Sequence, residues 1–257
     1  MIALHPMVTT PPPELTLRRG AIICLPPFLL MAAAQTLAYF AAGATLNFFF
    51  AGFFFLTILL PPLVLTRPWP MERLLIGGSL IDAAAVVWLV MLASSWIGGR
   101  GVFAQTTVLQ WLGLYVLLGF YGLALAGGAV LLRRMRIAAV IAAAIMIVLG
   151  LAWLTWPIWL SPALTGDAGA KLGGWLIPMH PLMTANALVR HLGVWSEQPL
   201  AYHLTTLGQH VPYALPSGPW MSMAVHLALA AVLFALAVPA SAMRLGRQGS
   251  EERRRMS

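Results

Sequence analysis

The chain has 257 residues, of which 60% are hydrophobic and only 9% are charged, and its mean hydropathy is +0.86. This composition excludes a soluble globular domain, because such a domain needs more polar side chains to cover its surface. The formal net charge of +8 would indicate a nucleic-acid partner in a soluble protein. Here the basic residues flank apolar segments, which excludes that class as well.

Six apolar segments are long enough to cross a bilayer, whose hydrocarbon core takes about 20 helical residues. They are 21–41, 46–66, 74–97, 104–132, 137–160 and 219–243. The segments fill most of the chain and leave no room for a soluble catalytic domain. The sequence therefore predicts an all-α, polytopic membrane bundle of six helices, formed as a single transmembrane domain over residues 1–257.

Basic residues are distributed unequally between the two sides of these segments. One side has Arg18, Arg19, Arg67, Arg73, Arg133, Arg134, Arg136, Arg244, Arg247, Arg253, Arg254 and Arg255. The other side has only Arg100, Lys171 and Arg190. Because positive residues are retained in the cytoplasm, this predicts cytoplasmic termini, with an arm at 1–20 and a basic tail at 244–257. We therefore expect a multi-pass protein of a bacterial cytoplasmic membrane.

The first segment also resembles a signal peptide, since Arg18 and Arg19 precede an apolar run with small residues near 32–34. We expect an uncleaved signal anchor. Cys24, the only cysteine, lies in this segment. The chain therefore has neither a disulfide framework nor a thiolate metal site of its own.

Proline pairs interrupt the first two segments, at Pro26–Pro27 and Pro61–Pro62. Each proline removes a backbone donor, so we expect these helices to bend or break. The run "NFFFAGFFF" at 47–55 is typical of a lipid-facing aromatic surface near the outer interface.

The one sizeable water-facing segment is predicted to be the outer loop 161–218. Tryptophans at 159, 175, 195 and 220 lie at or near its ends or within it, and tryptophan prefers the membrane interface. Apolar residues recur at helical spacing over 181–192, with Asn186 and Arg190 off that stripe. This predicts a short amphipathic helix that lies on the outer leaflet or across the mouth of the bundle.

Five of the six histidines lie between His180 and His226. Their separations match neither a helical i,i+4 pair nor a zinc-type spacing, and Asp167 and Glu197 are the only nearby carboxylates. We therefore expect polar histidines at the membrane interface, with no metal site and no catalytic residue.

Asp82 and His226 are the ionisable candidates inside the membrane, where an unpaired ionisable group costs several kcal/mol. Asp82 lies about 12 Å from the inner end of its segment and His226 about 11 Å from the outer end of its own. In a core about 30 Å thick, their depths differ by only about 7 Å. Two arrangements remain open: a contact directly or through one water, or separate hydrogen bonds, with Asp82 bonded to Ser79 or to backbone.

No ATP-binding loop is present in the chain. A Walker A loop needs Lys followed by Ser or Thr, and Leu172 follows the only lysine, Lys171. An ATP-driven activity would therefore need a separate ATPase subunit.

Two stretches carry a resemblance to the permease subunits of type-2 ABC exporters. The fifth segment ends in "WPIWLSP" (156–162), and "HPLMTANALVRH" (180–191) follows it. The second stretch is similar to the family's asparagine-proline, apolar, then arginine pattern: His180 stands in place of the asparagine, while Pro181 and Arg190 match. Six spans, cytoplasmic termini and a short helical segment outside between spans five and six also resemble the family.

The resemblance implies a permease that works with a separate ATP-binding subunit and needs no cofactor in its own chain. The inner loop "RPWPMER" would contact the ATPase through Arg67, Trp69, Glu72 and Arg73. Two permeases would face each other around a path for a hydrophobic or lipid-linked cargo.

Two other functions are compatible with the sequence. One is a membrane anchor or assembly subunit of a larger complex, whose outer loop binds a partner. The other is a proton- or quinone-linked redox subunit that uses Asp82 and His226.

Overall fold

The structure is a computed structural model that describes residues 17–42, 47–67, 70–98, 106–164, 166–189 and 216–237. Within these residues the regular structure is eight α-helices and one 3₁₀ turn (Ser161–Ala163), with no β-strand. The helices are α1 (Leu17–Ala42), α2 (Asn47–Leu65), α3 (Pro70–Gly98), α4 (Val108–Arg134), α5 (Ala139–Trp159), α6 (Gly166–Met179), α7 (Pro181–Leu188) and α8 (Trp220–Ala237). The expected all-α fold is confirmed.

Five helices, α1, α3, α4, α5 and α8, are long and apolar enough to cross a membrane. Each lies at one of the expected segments, as the sequence of a multi-pass membrane protein requires. The remaining expected segment forms α2, whose apolar stretch Phe49–Leu65 is shorter than the other five. The sixth crossing stays a prediction.

The bounds of α4 show how local sequence sets a helix. The Thr107 side chain accepts a hydrogen bond from the Gln110 N–H, while the Gln110 side chain accepts one from the Thr107 N–H. This reciprocal cap satisfies two backbone donors at the start of the helix. Arg133 and Arg134 stand in the last turn, where cations stabilise the negative end of the helix dipole.

Helix α2 lies in the interior of the bundle, since it contacts α1, α3, α4, α5 and α7. Phe49 and Phe53 are fully buried, against Trp88 and Tyr121 respectively. The expectation of a lipid-facing aromatic surface at 47–55 is therefore wrong at these positions. Lipid and protein core are both apolar, so hydrophobicity alone does not indicate which of them a phenylalanine faces.

Neither proline pair breaks its helix. Helix α1 continues through Pro26–Pro27, and α2 continues through Pro61–Pro62. A break is therefore wrong, whereas a bend at each pair stays a prediction. Inside a membrane bundle, neighbouring helices and small local adjustments can satisfy the few backbone groups that proline leaves unpaired.

One end of the bundle collects arginines. The Arg19 guanidinium lies 3.0 Å from a Glu72 carboxylate oxygen, and Arg73 Nε donates to the Arg67 carbonyl at 2.8 Å. Arg133 is close enough to Arg73 to repel it electrostatically. We call this end, defined by Arg19, Arg67, Arg73, Arg133 and Arg134, the arginine end.

Between α5 and α8 the chain forms a helical hairpin, which comprises α6 and α7. Helix α7 falls inside the predicted range 181–192, but its residues from Pro181 to Asn186 are all buried. It contacts α2, α4, α6 and α8. Helix α7 therefore packs into the bundle, which does not fit a position flat on the outer leaflet. Its position across the mouth of the bundle stays a prediction.

Candidate functional site

A group of buried polar side chains lies where the hairpin meets α5 and α8. His226 of α8 has Nε2 3.3 Å from the Trp153 indole nitrogen and Nδ1 2.7 Å from the Ser222 carbonyl oxygen. An indole N–H only donates, so Nε2 accepts and Nδ1 carries the proton that goes to the carbonyl. These partners hold the imidazole neutral between α5 and α8.

His180 is the residue that joins the hairpin to α5. Its Nδ1 accepts from the Met183 N–H at 3.2 Å, which caps the start of α7. Its Nε2 lies 3.0 Å from the Trp153 carbonyl and 3.2 Å from the Leu154 carbonyl. Both are acceptors, so Nε2 carries the proton. The two histidines are thus opposite neutral tautomers.

The Trp153 ring lies beside both imidazoles, with centroids 5.7 Å from His180 and 6.3 Å from His226. Tyr121 meets His226 edge-on at 5.5 Å. The Tyr121 hydroxyl is 2.7 Å from Thr57 Oγ1, which donates to the Phe53 carbonyl. We call this set, which comprises Thr57, Tyr121, Trp153, His180, Ser222 and His226, the histidine cluster.

The electrostatics of the cluster favour uncharged side chains. His180 is only 1% exposed, and desolvation lowers its pKa to about 3, although the hydrogen bonds to the Trp153 and Leu154 carbonyls raise it in part. The imidazole is therefore neutral at physiological pH and acts as a hydrogen-bonding group. No carboxylate belongs to the cluster.

Ser222 and His226 do not form a nucleophile and base pair. The Ser222 hydroxyl donates to the Met179 carbonyl at 2.9 Å, at the end of α6. His226 Nδ1, 3.3 Å from that hydroxyl, already donates its proton to the Ser222 carbonyl. A general base would need a free nitrogen lone pair facing the hydroxyl. The pair instead ties α8 to the hairpin.

Two buried donors of this region have no acceptor within the described residues: Trp156 Nε1 and Asn186 Nδ2. The Trp156 ring stands edge-on to His180, with centroids 5.7 Å apart. An unpaired buried donor costs about 1–3 kcal/mol.

A cavity of about 420 Å³ lies between α4, α5 and α8 beside the cluster. Tyr121, Trp153 and His226 form its polar end, and the rest of its lining is apolar. Its size is in the range of small-molecule sites, which combine an apolar wall with a few directed polar groups.

Asp82 lies away from this cluster, on the exposed surface where α3 meets α4. The Tyr115 hydroxyl donates to Asp82 Oδ1 at 2.8 Å. The Ser79 hydroxyl donates to the Ile76 carbonyl. Asp82 is thus paired with a tyrosine of the next helix, a partner that neither sequence-based arrangement contained, while His226 forms separate bonds within the bundle.

The expected docking residues for an ATPase occupy the arginine end. Arg67 is exposed and Arg73 is half-buried, whereas Glu72 is buried in its ion pair with Arg19. Glu72 therefore connects α3 to α1 and does not face outward. Trp69 lies outside the described residues.

Two residues of the family resemblance, His180 and Pro181, lie in the hairpin, while the stretch 156–162 covers the end of α5 and the 3₁₀ turn. Pro181 occupies the first turn of α7, where its missing N–H leaves no bond unmade. His180 performs the capping that an asparagine performs equally well. Arg190 lies outside the described residues.

Sequence reasoning missed Trp153, Tyr121, Ser222 and Thr57 as members of the cluster. A signal for the two aromatics was present, since buried tryptophan and tyrosine inside a span need a partner for N–H or O–H. Helix α6 was also missed: its start "GDAGAKLGG" is rich in glycine, a poor helix former.

Comparisons with known proteins give no match. No family model, no curated protein and no solved structure matches this chain. The resemblance to exporter permeases therefore depends on the arrangement of apolar segments and on the residues of 156–191.

Proposed function

We propose that the protein is the permease subunit of an ABC-type exporter in a bacterial cytoplasmic membrane. In this proposal α2 provides the sixth span, both termini are cytoplasmic, and two copies form a path for a hydrophobic or lipid-linked cargo. A separate subunit hydrolyses ATP.

The observation that carries the proposal is the hairpin α6–α7. A helical segment that enters the bundle between the fifth and sixth apolar segments agrees with the topology expected of exporter permeases. His180, in place of the family's asparagine, caps α7 and bonds the end of α5. The cavity beside α4, α5 and α8 ends at His226 and Trp153, so movement of the hairpin would alter its polar end.

The test is purification of the tagged full-length protein from membranes of its native host in mild detergent. We expect an ATP-binding chain to co-purify, with ATP hydrolysis by the complex. The Arg67→Glu variant should lose this chain, because Arg67 is exposed at the arginine end. Arg136→Glu, an exposed cation in the α4–α5 turn, is the matched control and should retain it. Recovery of the protein alone, with no associated ATP hydrolysis, would contradict the proposal.

The exposed Asp82 favours a second candidate, an anchor or assembly subunit. A carboxylate on the outer surface of a membrane bundle is costly unless it is paired or hydrated, and Tyr115 supplies a single hydrogen bond. A partner helix that covers this surface would satisfy it. Isolation of a stable complex that contains no ATPase would support this candidate over the permease. The redox alternative has less support, because Asp82 and His226 have separate partners.

A further inference from the structure

A groove lies on the opposite side of α4 from most of the cavity at the histidine cluster. It has a volume of about 780 Å³ and lies between α2, α3, α4 and α8. Its lining is almost entirely apolar, with Arg73 at one end and Tyr115 near the other.

Glycines give the groove its depth. Gly77 and Gly78 line it from α3, and Gly119 and Gly122 line it from α4. An added Cβ at Gly78 or Gly119 would meet no atom within 4 Å. Gly78 and Gly119 are therefore not required for helix-to-helix contact, and the space beside these two glycines is open to a ligand.

The groove is confined to one half of the bundle. It is lined by Leu60 and Val64 near the end of α2, Pro70 at the start of α3, and Val130 near the end of α4. From Arg73 to Ile81 it follows eight residues of α3, about 12 Å. One leaflet of a hydrocarbon core about 30 Å thick has about this depth.

The charge at its mouth is positive, and within the described ranges no carboxylate forms an ion pair with Arg73 or Arg133. Arg73 lines the groove, and Arg133 lies close enough to repel it. Glu72 is the acid at this end among the described residues, and its carboxylate is paired with Arg19. A second anion that approaches from the membrane surface would relieve the repulsion between the two guanidinium groups.

We propose that this groove binds an anionic phospholipid of the leaflet at the arginine end, with one acyl chain along the glycines and the phosphate at Arg73 and Arg133. A hydrocarbon chain matches the apolar lining, and a phosphate matches the Arg73 guanidinium group, because a guanidinium can bind two such oxygens in forked geometry. The site does not depend on transport: it holds whether the protein is a permease or an anchor.

The experiment uses the purified full-length protein in phosphatidylcholine nanodiscs that contain a trace of lipid with a photoreactive acyl chain. The probe is either phosphatidylglycerol or phosphatidylcholine, and cross-linked peptides are identified by mass spectrometry. We expect residues of α3 and α4 that line the groove to be labelled about fivefold or more strongly by the anionic probe, since one arginine contributes about that factor. Equal labelling by both probes would overturn the proposal.

Variants of Arg73 test whether the lipid headgroup causes the preference for the anionic probe. Arg73→Gln should remove most of the preference for the anionic probe, and Arg73→Lys should retain it. Arg136→Gln, which removes a cation outside the groove, should leave the preference unchanged. If Arg136→Gln reduces it as much as Arg73→Gln does, general surface charge is responsible and the groove is not the site.

A second pair of variants tests the position of the acyl chain. Gly119→Leu places a side chain in the groove and should reduce labelling by both probes, while Gly20→Leu, on α1 and also with open space, should not. Unchanged labelling in Gly119→Leu would refute the lipid site. A lack of labelling in the groove of the unaltered protein would refute it as well, and would fit a second copy of the chain that covers this surface. The fold of each variant is checked by its melting temperature. The comparison of the two probes on the unaltered protein decides the proposal even if a variant fails to fold.

Discussion

His180 makes the polar connection between the hairpin and α5 with one imidazole ring. One nitrogen caps α7 and the other bonds two carbonyls near the end of α5. An asparagine offers the same combination of acceptor and donor in a shorter side chain. The difference between the two residues lies in titration, because only histidine can bind a proton near neutral pH.

The stability of the protein should therefore depend on pH through His180. Its folded pKa is about 3, against about 6.5 in an unfolded chain. Between these values the unfolded chain binds a proton that the folded protein does not, so stability falls as the pH is lowered, by at most about 1.4 kcal/mol per unit. The melting temperature should be lower at about pH 5.5 than at about pH 7.5, and this decrease should be larger for the unaltered protein than for His180→Asn. Equal falls would contradict the assignment of a neutral, buried ring.

Trp153→Phe tests the second imidazole. The variant keeps an aromatic ring but removes the N–H that His226 Nε2 accepts, and an acceptor left unpaired inside the bundle costs about 1–3 kcal/mol. We expect a lower melting temperature in mild detergent. Trp159→Phe is the control, because Trp159 is 57% exposed, and it should change stability by less than about 1 kcal/mol. Similar losses in both variants would show that the hydrogen bond to His226 is not what matters.

At the scale of helices, Gly52 lets α2 approach α1 and α3 closely. A Cβ there would lie 2.5 Å from the Trp88 ring and 2.7 Å from Gln35, both fully buried. Small residues permit such backbone approach between membrane helices.

Gly52→Ala should therefore destabilise the protein by about 1–3 kcal/mol, since buried side chains must move to make room. The same substitution at Gly78, where the space is open, should be neutral or stabilise α3 by up to about 1 kcal/mol, because alanine is the better helix former. Thermal unfolding of the two variants measures both. A loss at Gly78 as large as that at Gly52 would contradict the packing around α2.

The positions of the long helices were predictable from sequence, whereas their orientations were not. Apolar length alone predicts where a helix crosses a membrane, and all six segments coincide with helices. The buried face of α2 was not predictable, because Phe53 would be equally apolar against lipid. Asp82 shows the same limit: its depth could be estimated from residue count, but its direction around α3, toward Tyr115, needed the packing of α4.

The candidate site was predictable only in part. His180 and His226 were recognisable as polar residues among apolar ones, and a helix was expected after Pro181. Their common neighbour Trp153 is 27 residues before His180 and 73 before His226, so no local pattern connects them. Contacts between residues this far apart in the chain are set by how α5, the hairpin and α8 pack together.

For the whole molecule, the distribution of cations predicts the orientation of the bundle in the membrane. Arginines of α1, α3, α4 and the loop between α2 and α3 meet at the arginine end, whereas Lys171 lies in α6 of the hairpin. If the arginine end is cytoplasmic, as the retention of positive residues on that side predicts, Lys171 and Arg136 lie on opposite sides of the membrane. Both side chains are exposed.

Cysteine labelling measures this directly. In a Cys24→Ala background, which removes the only native thiol, Lys171→Cys should react with a membrane-impermeant maleimide in intact bacterial cells. Arg136→Cys should react only after the membrane is permeabilised, because the reagent cannot reach the cytoplasmic turn between α4 and α5. The reverse pattern would invert the orientation and place the arginine end outside, where it could not meet a cytoplasmic ATPase. Labelling of both variants in intact cells would show that Arg136 and Lys171 lie on the same side of the membrane. That result would contradict a single crossing by α5, which separates the two residues in the chain.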